Sequence, residues 1–334
     1  MRTPLCDLLG IDVPIVQAPI GSASVPVLAA AVSEAGALGT IALSWTKPED
    51  VAALVEDVRA RTSRPVHANI LLEWPSEARL EAVLDAGVRI VSLAWGDPAP
   101  YVERAHAAEA IVIGTAGTAD EAERFAEAGV DVVCAQGWEA GGHVWGGVAT
   151  MALVPAVVDA VAPLPVIAAG GIMDGRGVAA ALALGAQGAW LGTRFLLAEE
   201  APVHPDYRRS LLAARAEDAV YATDLFHLGW ENAPHRALRN STRERWEAAG
   251  SPAPGERPGE GETVATRDDG TPIARYSSAM PVASISGDIE ALSMWSGQGI
   301  GLVDRVQPAA EIVRQLADET DAVLACLVVA PTEP

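Results

Sequence analysis

Between Val13 and Gly192 the chain alternates short, β-branched apolar runs with helical stretches eight times over, and four helix-to-strand junctions repeat one device. In Glu34-Ala35-Gly36-Ala37, Asp85-Ala86-Gly87-Val88, Ala128-Gly129-Val130 and Leu184-Gly185-Ala186, a glycine stands where a helix must stop and the chain re-enter a sheet. That position takes a left-handed backbone, which glycine adopts without steric cost. The apolar runs are Val13–Ile20, Leu38–Leu43, Pro65–Leu71, Val88–Trp95, Ala110–Ala116, Val130–Gln136, Pro165–Ala169 and Ala189–Gly192. Such an alternation predicts an α/β fold, a (β/α)8 TIM barrel, with a doubly wound sheet as the runner-up. Thr46-Lys47-Pro48-Glu49 and Thr118-Ala119-Asp120-Glu121 read as capping boxes that open two of the helices.

After Phe195 the regularity fails. Residues 1–200 are expected to form the barrel, 201–281 a smaller lid or substrate-side domain inserted after strand eight, and 282–334 a return to the barrel. Within the lid, Asp206–Arg215, Tyr221–Leu225 and Arg236–Ala249 read as helical pieces, and the Gly-, Pro- and acid-rich stretch 251–270 as a mobile surface loop or hairpin. Arg236, Arg239, Arg243 and Arg245 would then share one short helix, read as a solvated face in preference to an acidic docking patch. A last helix is expected over about Ala309–Ala317, and Val323–Val329 is open between strand and helix.

A formal net charge of -21 argues against nucleic acid or an anionic membrane as partner, since both need a positive field. Lys47 is the only lysine, so any phosphate would rest on backbone N–H groups, hydroxyls or arginine. Cys6, Cys134 and Cys326 lie far apart without metal-ligand spacing, which points to a reducing cytoplasm. No uncharged stretch is as long as a membrane span, and the first residues lack the apolar segment of a secretion signal. The sequence fixes no oligomeric state; a homodimer is one arrangement open to it.

In a barrel the carboxyl ends of all strands meet at one rim, where residues distant in sequence converge. Those positions include Pro19, Ile20 and Gly21, Asn69, Trp95, Thr115, and the loop from Gln136 to Gly147, which carries five glycines and His143. His143 has a titratable ring and little apolar sequence around it, so it is the candidate for acid–base chemistry. His67, in mid-strand, reads instead as a satisfied interior residue. Gly170-Gly171 and Gly192-Thr193 follow strands seven and eight, where barrels commonly bind phosphate. Cys134 lies inside strand six, which argues against covalent cysteine chemistry.

Ala18-Pro19-Ile20, Gln136-Gly-Trp-Glu-Ala-Gly-Gly-His143, Ala169-Gly-Gly-Ile172, Gly192-Thr-Arg-Phe195 and Gly297-Gln-Gly-Ile-Gly-Leu302 together resemble the nitronate monooxygenases, formerly grouped as 2-nitropropane dioxygenases. The resemblance covers roughly 11–200 and 272–303. It implies bound FMN, with the phosphate at Gly170, Gly171, Gly192 and Thr193 and the ring system against Ala18, Pro19, Ile20 and Gly21. Asn69 and Gln136 would reach its polar edge, Gly141 and Gly142 would line it, and Gln298 and Gly299 would complete the pocket. The family often has methionine where this chain has Ile20, a swap of similar volume. The resemblance makes His143 the base in the oxidation of a nitronate by O2 to a carbonyl compound and nitrite. Trp138, with Ser277, is read as a wall of the substrate pocket, with lid packing as the alternative for the tryptophan. The same motifs occur in FMN-dependent enoyl and quinone reductases, so an NAD(P)H-using reductase is the first alternative. A phosphate-ligand binding barrel without redox chemistry is the distant one.

Overall fold

The glycine junctions do what the sequence asks of them. The structure, a computed structural model that describes residues 1–327, has Gly36, Gly87, Gly129 and Gly185 at φ of 91°, 82°, 91° and 95°. Each closes a helix with the same pair of hydrogen bonds; after Glu34, for instance, Gly36 N–H donates to Ser33 O at 2.9 Å and Ala37 N–H to Val32 O at 3.3 Å. The two bonds satisfy carbonyls that the helix end would otherwise orphan.

The strands β1 (Ile15–Gln17), β2 (Gly39–Ala42), β3 (Val66–Leu71), β4 (Ile90–Ala94), β5 (Ile111–Ala116) and β6 (Val132–Gln136) come first in the barrel. A two-residue strand, β7 (Gly142–His143), leaves it, and β8 (Val166–Ala169) and β9 (Gly188–Leu191) complete it. The order β1-β9-β8-β6-β5-β4-β3-β2 is parallel throughout. Val16 bridges Leu38 in parallel, with Leu38 N–H on Ile15 O at 3.0 Å and Gln17 N–H on Leu38 O at 2.9 Å, so the last gap closes. Closure excludes the doubly wound sheet, which has two open edges.

Helix α1 (Pro4–Leu9) precedes the barrel, and α2 (Pro26–Glu34), α3 (Pro48–Arg59), α4 (Glu77–Asp85), α5 (Ala99–Ala107), α6 (Ala119–Glu127), α7 (Thr150–Val161) and α8 (Gly175–Ala183) alternate with its strands. The short α9 (Thr193–Leu196) follows β9, then α10 (Pro205–Ala213), α11 (Ser241–Ala248) and α12 (Ala309–Leu327). Because α12 packs against α8 and α2, it takes the place of the eighth barrel helix, and the segment 197–308 is an insertion between the eighth strand and its helix. The last helix is longer than expected. Val323–Leu327 is helical, and the rest of the run read as strand or helix lies outside the described residues.

Inside the barrel, Leu5, Cys6 and Leu9 of α1 pack with Val16, Ile90, Ile113, Val132, Ile167 and Trp190. A polar row shares this interior: Gln17, Thr40, His67, Asn69 and Ser92 are all 3% exposed or less. Gln17 Nε2 donates to Thr40 O at 3.1 Å and Asn69 Nδ2 to Ser92 Oγ at 2.8 Å. Thr40 Oγ1 donates to Gln17 O, so its contact with His67 Nδ1 at 2.8 Å must be donated by the imidazole. His67 is thus an interior, hydrogen-bonded histidine.

Three readings need correction. The helix at Pro48 starts one residue later than the Thr46 box requires: Lys47 is its N-cap, without a side-chain cap, because proline favours the first helical position. Tyr221 lies on a strand, β10 (Ala219–Ala222), and Arg236 on β11 (His235–Leu238), so the four arginines do not share a helix. Arg243 and Arg245 are on α11 and pair with Glu247 and Glu262. The stretch 251–270, read as a loop or hairpin, does enter a hairpin: β12 (Thr263–Thr266) pairs antiparallel with β13 (Pro272–Ala274) and with β14 (Ser286–Gly287), while Arg257 before it is 6% exposed and donates to Leu225 O and Asp224 O.

Candidate active site

The loop after β6 is stitched to the insertion. His143 pairs with His235 and Gly142 with Arg236, so β7, β11 and β10 form a small antiparallel sheet over the carboxyl end of the barrel. Gln136, the last residue of β6, holds the loop from beneath: its Nε2 donates to His143 O at 3.2 Å and its Oε1 accepts Trp145 N–H at 3.0 Å. Trp145 is fixed at its other end by Glu121, whose carboxylate accepts the indole N–H and also Gly117 N–H at 2.8 Å. Glu139 caps α7 through Thr150 N–H at 2.8 Å, while its carbonyl accepts Gln298 N–H at 2.9 Å.

Below the small sheet lies a cavity of about 670 Å³, within the range usual for cofactor and ligand sites. Ala18, Pro19, Ile20 and Gly21 line it from the end of β1, Asn69 from β3, Thr115 from β5, and Cys134 and Gln136 from β6. Gly141, Gly142 and His143 come from the stitched loop, Gly170 and Gly171 from the end of β8, Gly192 and Thr193 from the end of β9, and Ser277 and Gly299 from later segments. Gly170 and Gly171 have φ of 108° and 72°, and a Cβ on Gly170 would meet Gly137 O and Thr150 Oγ1 at 2.9 Å. Neither position takes a larger residue without strain. Thr193 Oγ1 accepts Gly297 N–H at 3.0 Å, which joins the late segment to the end of β9.

Two expected residues lie elsewhere. Trp138 faces away from the cavity and stacks beneath Arg236, whose guanidinium carbon is 4.1 Å from the ring centre. Arg236 donates to Ala219 O at 3.0 Å and to Trp138 O at 2.9 Å, so this pair holds the small sheet together. Gln298 is not on the cavity wall either; its neighbours Gly297 and Gly299 are. Gln136 does line the cavity, but its amide is already used in shaping the loop.

His143 sits against an aromatic wall. Its ring centre is 3.9 Å from Trp230, 5.0 Å from Trp295 and 5.8 Å from Trp95. Its Nε2 is buried without a protein partner. This enclosure disfavours the imidazolium, and the nearby His235 adds to the effect, so the pKa falls well below 6.5. The sequence-based expectation of a pKa near working pH is therefore corrected: His143, on the cavity wall, is a neutral imidazole at pH 7 with modest basicity. Burial drives the Cys134 thiol up to about 12, against a smaller opposing hydrogen bond from Thr115, which leaves it inert as a nucleophile.

The rim residues Trp45 and Arg267 also line the cavity. Trp45 follows β2 as Trp95 follows β4, so the strand-end rule could have found it. Arg267 stands at the turn between β12 and β13, far from any strand end of the barrel, and no local signal marks it.

Comparison with known proteins places this architecture. The family model for nitronate monooxygenase matches residues 2–79 and 75–319. A nitronate monooxygenase of Pseudomonas aeruginosa is 33% identical over 93% of this chain and 97% of its own. A (3aS,4S,5R,7aS)-5-hydroxy-7a-methyl-1-oxo-octahydro-1H-indene-4-carboxyl-CoA dehydrogenase of Mycobacterium tuberculosis is 40% identical over 74% of this chain and 69% of its own. Among solved structures, FabK from Thermotoga maritima superposes with a TM-score of 0.82 at 32% identity, covering 98% of both chains. A nitroalkane oxidase from Streptomyces ansochromogenes gives 0.78 at 29%, covering 97% of this chain and 99% of that one. The chain is an oxidoreductase with a TIM-barrel fold, and it belongs to the nitronate monooxygenase family.

Proposed function

We propose that this protein is an FMN-dependent enzyme that oxidises alkyl nitronates with O2 to a carbonyl compound and nitrite. The observation that carries the reading is His143: a neutral imidazole that lines the cavity among the rings of Trp95, Trp230 and Trp295.

The cavity suits a flat, phosphate-bearing cofactor. Ala18, Pro19 and Ile20 give an apolar surface, and Gly142, Gly170 and Gly171, all with positive φ, let backbone approach a ligand without a Cβ. Gly170, Gly171, Gly192 and Thr193 would hold the phosphate through N–H groups and a hydroxyl, without need of a lysine. When bound, FMN would supply the electron acceptance and the reaction with O2.

His143 would take the proton from the carbon beside a nitro group, or line the site when the substrate arrives ionised. Its lowered pKa keeps the lone pair free at neutral pH but makes it a weak acceptor, so preformed nitronate is favoured over the neutral nitroalkane. The tryptophans exclude water from that transfer. Acid–base assistance is worth about two to four powers of ten in rate. His143→Asn should keep the bound flavin spectrum, lose about that factor in nitrite release from a neutral nitroalkane, and lose less from the nitronate. Unimpaired turnover of both substrates by the variant would remove His143 from the role.

A second reading, a reductase or dehydrogenase acting on a CoA thioester, is favoured by the 40% identity to the indene-carboxyl-CoA dehydrogenase. Mixing the purified protein with NADH without oxygen separates the two. Bleaching of the flavin by NADH supports the reductase, and bleaching only on addition of a nitronate supports the oxidase.

A further inference from the structure

The wall around His143 is larger than a small nitro compound needs. Trp95 stands 4.8 Å from Trp145 and 4.9 Å from Trp230, ring centre to ring centre, and Trp45 lies 6.3 Å from Trp230. Trp74 lies 5.2 Å from Trp230 on its far side, and with Trp295 this gathers six of the nine tryptophans into one cluster. In a chain with only 5% aromatic residues, that concentration is a binding surface in the making. Trp45 and Trp145 are 58% and 36% exposed, which leaves large indole faces in water at the rim until something covers them.

The charge at the same rim is the second observation. Among the described residues that line the cavity, Arg267 is the only one with a permanent charge. Its guanidinium is exposed and makes no ion pair or hydrogen bond with the described residues, though its charge reaches Asp269 on the same turn, whereas Arg243, Arg257 and Arg275 of the same insertion are all engaged with carboxylates. In a chain of net charge -21 the general field repels anions, so a cation on the cavity wall is an exception among the lining residues, although Asp268 and Asp269 share its turn. An arginine fork also matches carboxylate and phosphate in two parallel hydrogen bonds.

We infer that the substrate has an apolar, ring-bearing body seated on the tryptophan wall and an anionic group that Arg267 holds at the mouth. Arg267 is a specificity residue in this arrangement, selecting among substrates without touching the reacting atoms. The inference rests on the reading of the cavity as the substrate site but is independent of whether the oxidised group is a nitronate. The anion could be a carboxylate on the ring body itself or the phosphates of a CoA thioester, which share this chemistry.

Three probes with one ring body separate these sources: cyclohexanecarboxylate, cyclohexanecarboxyl-CoA and the neutral methyl cyclohexanecarboxylate. Dissociation constants from quenching of tryptophan fluorescence would be measured on the flavin-loaded wild type, Arg267→Gln and Arg267→Glu. At least one anionic probe should bind wild type more tightly than the neutral ester and weaken about three- to ten-fold in Arg267→Gln, the effect expected of a partly exposed charge pair. Arg267→Glu should weaken it further, and the ester should bind all three proteins alike. A loss confined to the free acid assigns a ring carboxylate, and one confined to the thioester assigns the phosphates. Equal loss of the ester, unchanged affinity for both anions, or no binding of any probe to wild type would overturn the inference. A negative nitrite assay alongside normal discrimination would count against nitronate oxidation alone.

Discussion

At the scale of single residues, the site turns on how tightly His143 is enclosed. Burial is the larger cause of its lowered pKa and His235 the smaller, so the imidazole remains neutral well below pH 6.5. A reaction that needs the free base should therefore show no loss of kcat/KM as pH falls through 6.5, with its acid limb displaced to lower pH. Trp230, 3.9 Å away, is the closest part of the enclosure, and Trp230→Ala should admit water and move the acid limb up toward 6.5. A pH profile of nitrite release on both proteins checks this; identical limbs would mean the enclosure does not set the base. The histidine itself was legible in the sequence as the one imidazole in a glycine-rich loop. Its low pKa was not, because the enclosing rings come from just after β4 (Trp95) and from two separate points of the insertion (Trp230 and Trp295), contacts that no local pattern encodes.

At the scale of elements, the helix ends were the most legible feature and offer a direct test. Four junctions carry glycine in the left-handed position, but the helix α5 ends on Glu109 at φ 57°, with the same bonds: Glu109 N–H to His106 O at 2.8 Å and Ala110 N–H to Ala105 O at 3.0 Å. A side chain in that conformation costs about 1 kcal/mol. Glu109→Gly should therefore raise stability by up to about 1 kcal/mol. Gly129→Ala, where a Cβ would meet nothing nearer than Val102 Cγ1 at 3.5 Å, should lower it by about the same amount through backbone strain alone. Denaturant midpoints of both variants at unchanged slope test the pair, and shifts of the same sign would refute the shared motif. The insertion was far less legible. The spacing of Arg236, Arg239, Arg243 and Arg245 suits a helix, yet Arg236 is fixed on β11 by its partners Ala219 O and Trp138. Strand pairing across distant segments overrode the local pattern there, and the same pairing took Trp138 out of the substrate pocket.

At the scale of the whole molecule, the barrel and the small sheet above it depend on histidines that must stay neutral. Burial pushes His67 down to about 3 and His235 down to about 4, and His143 is lowered as well. The unfolded chain takes up these protons near pH 6.5 while the folded chain resists them, so it binds more protons below that pH. Stability is then fully present above pH 6.5 and falls as pH drops toward 3–4. For His67 alone, the two units between pH 6.5 and 4.5 correspond to an upper figure of about 2.7 kcal/mol. Acidification also removes negative charge from a chain with pI near 4.6, which eases self-repulsion and acts in the opposite direction. The two effects separate in His67→Asn, whose amide can still donate to Thr40 Oγ1 but cannot titrate. Its unfolding midpoint should start below that of wild type at pH 7, because a buried ring is lost, and the gap should narrow by about 2 kcal/mol on going to pH 4.5. Parallel curves over that interval would show that the folded chain takes up the His67 proton as readily as the unfolded chain, so that the ring is charged in both states at pH 4.5 and does not govern acid stability.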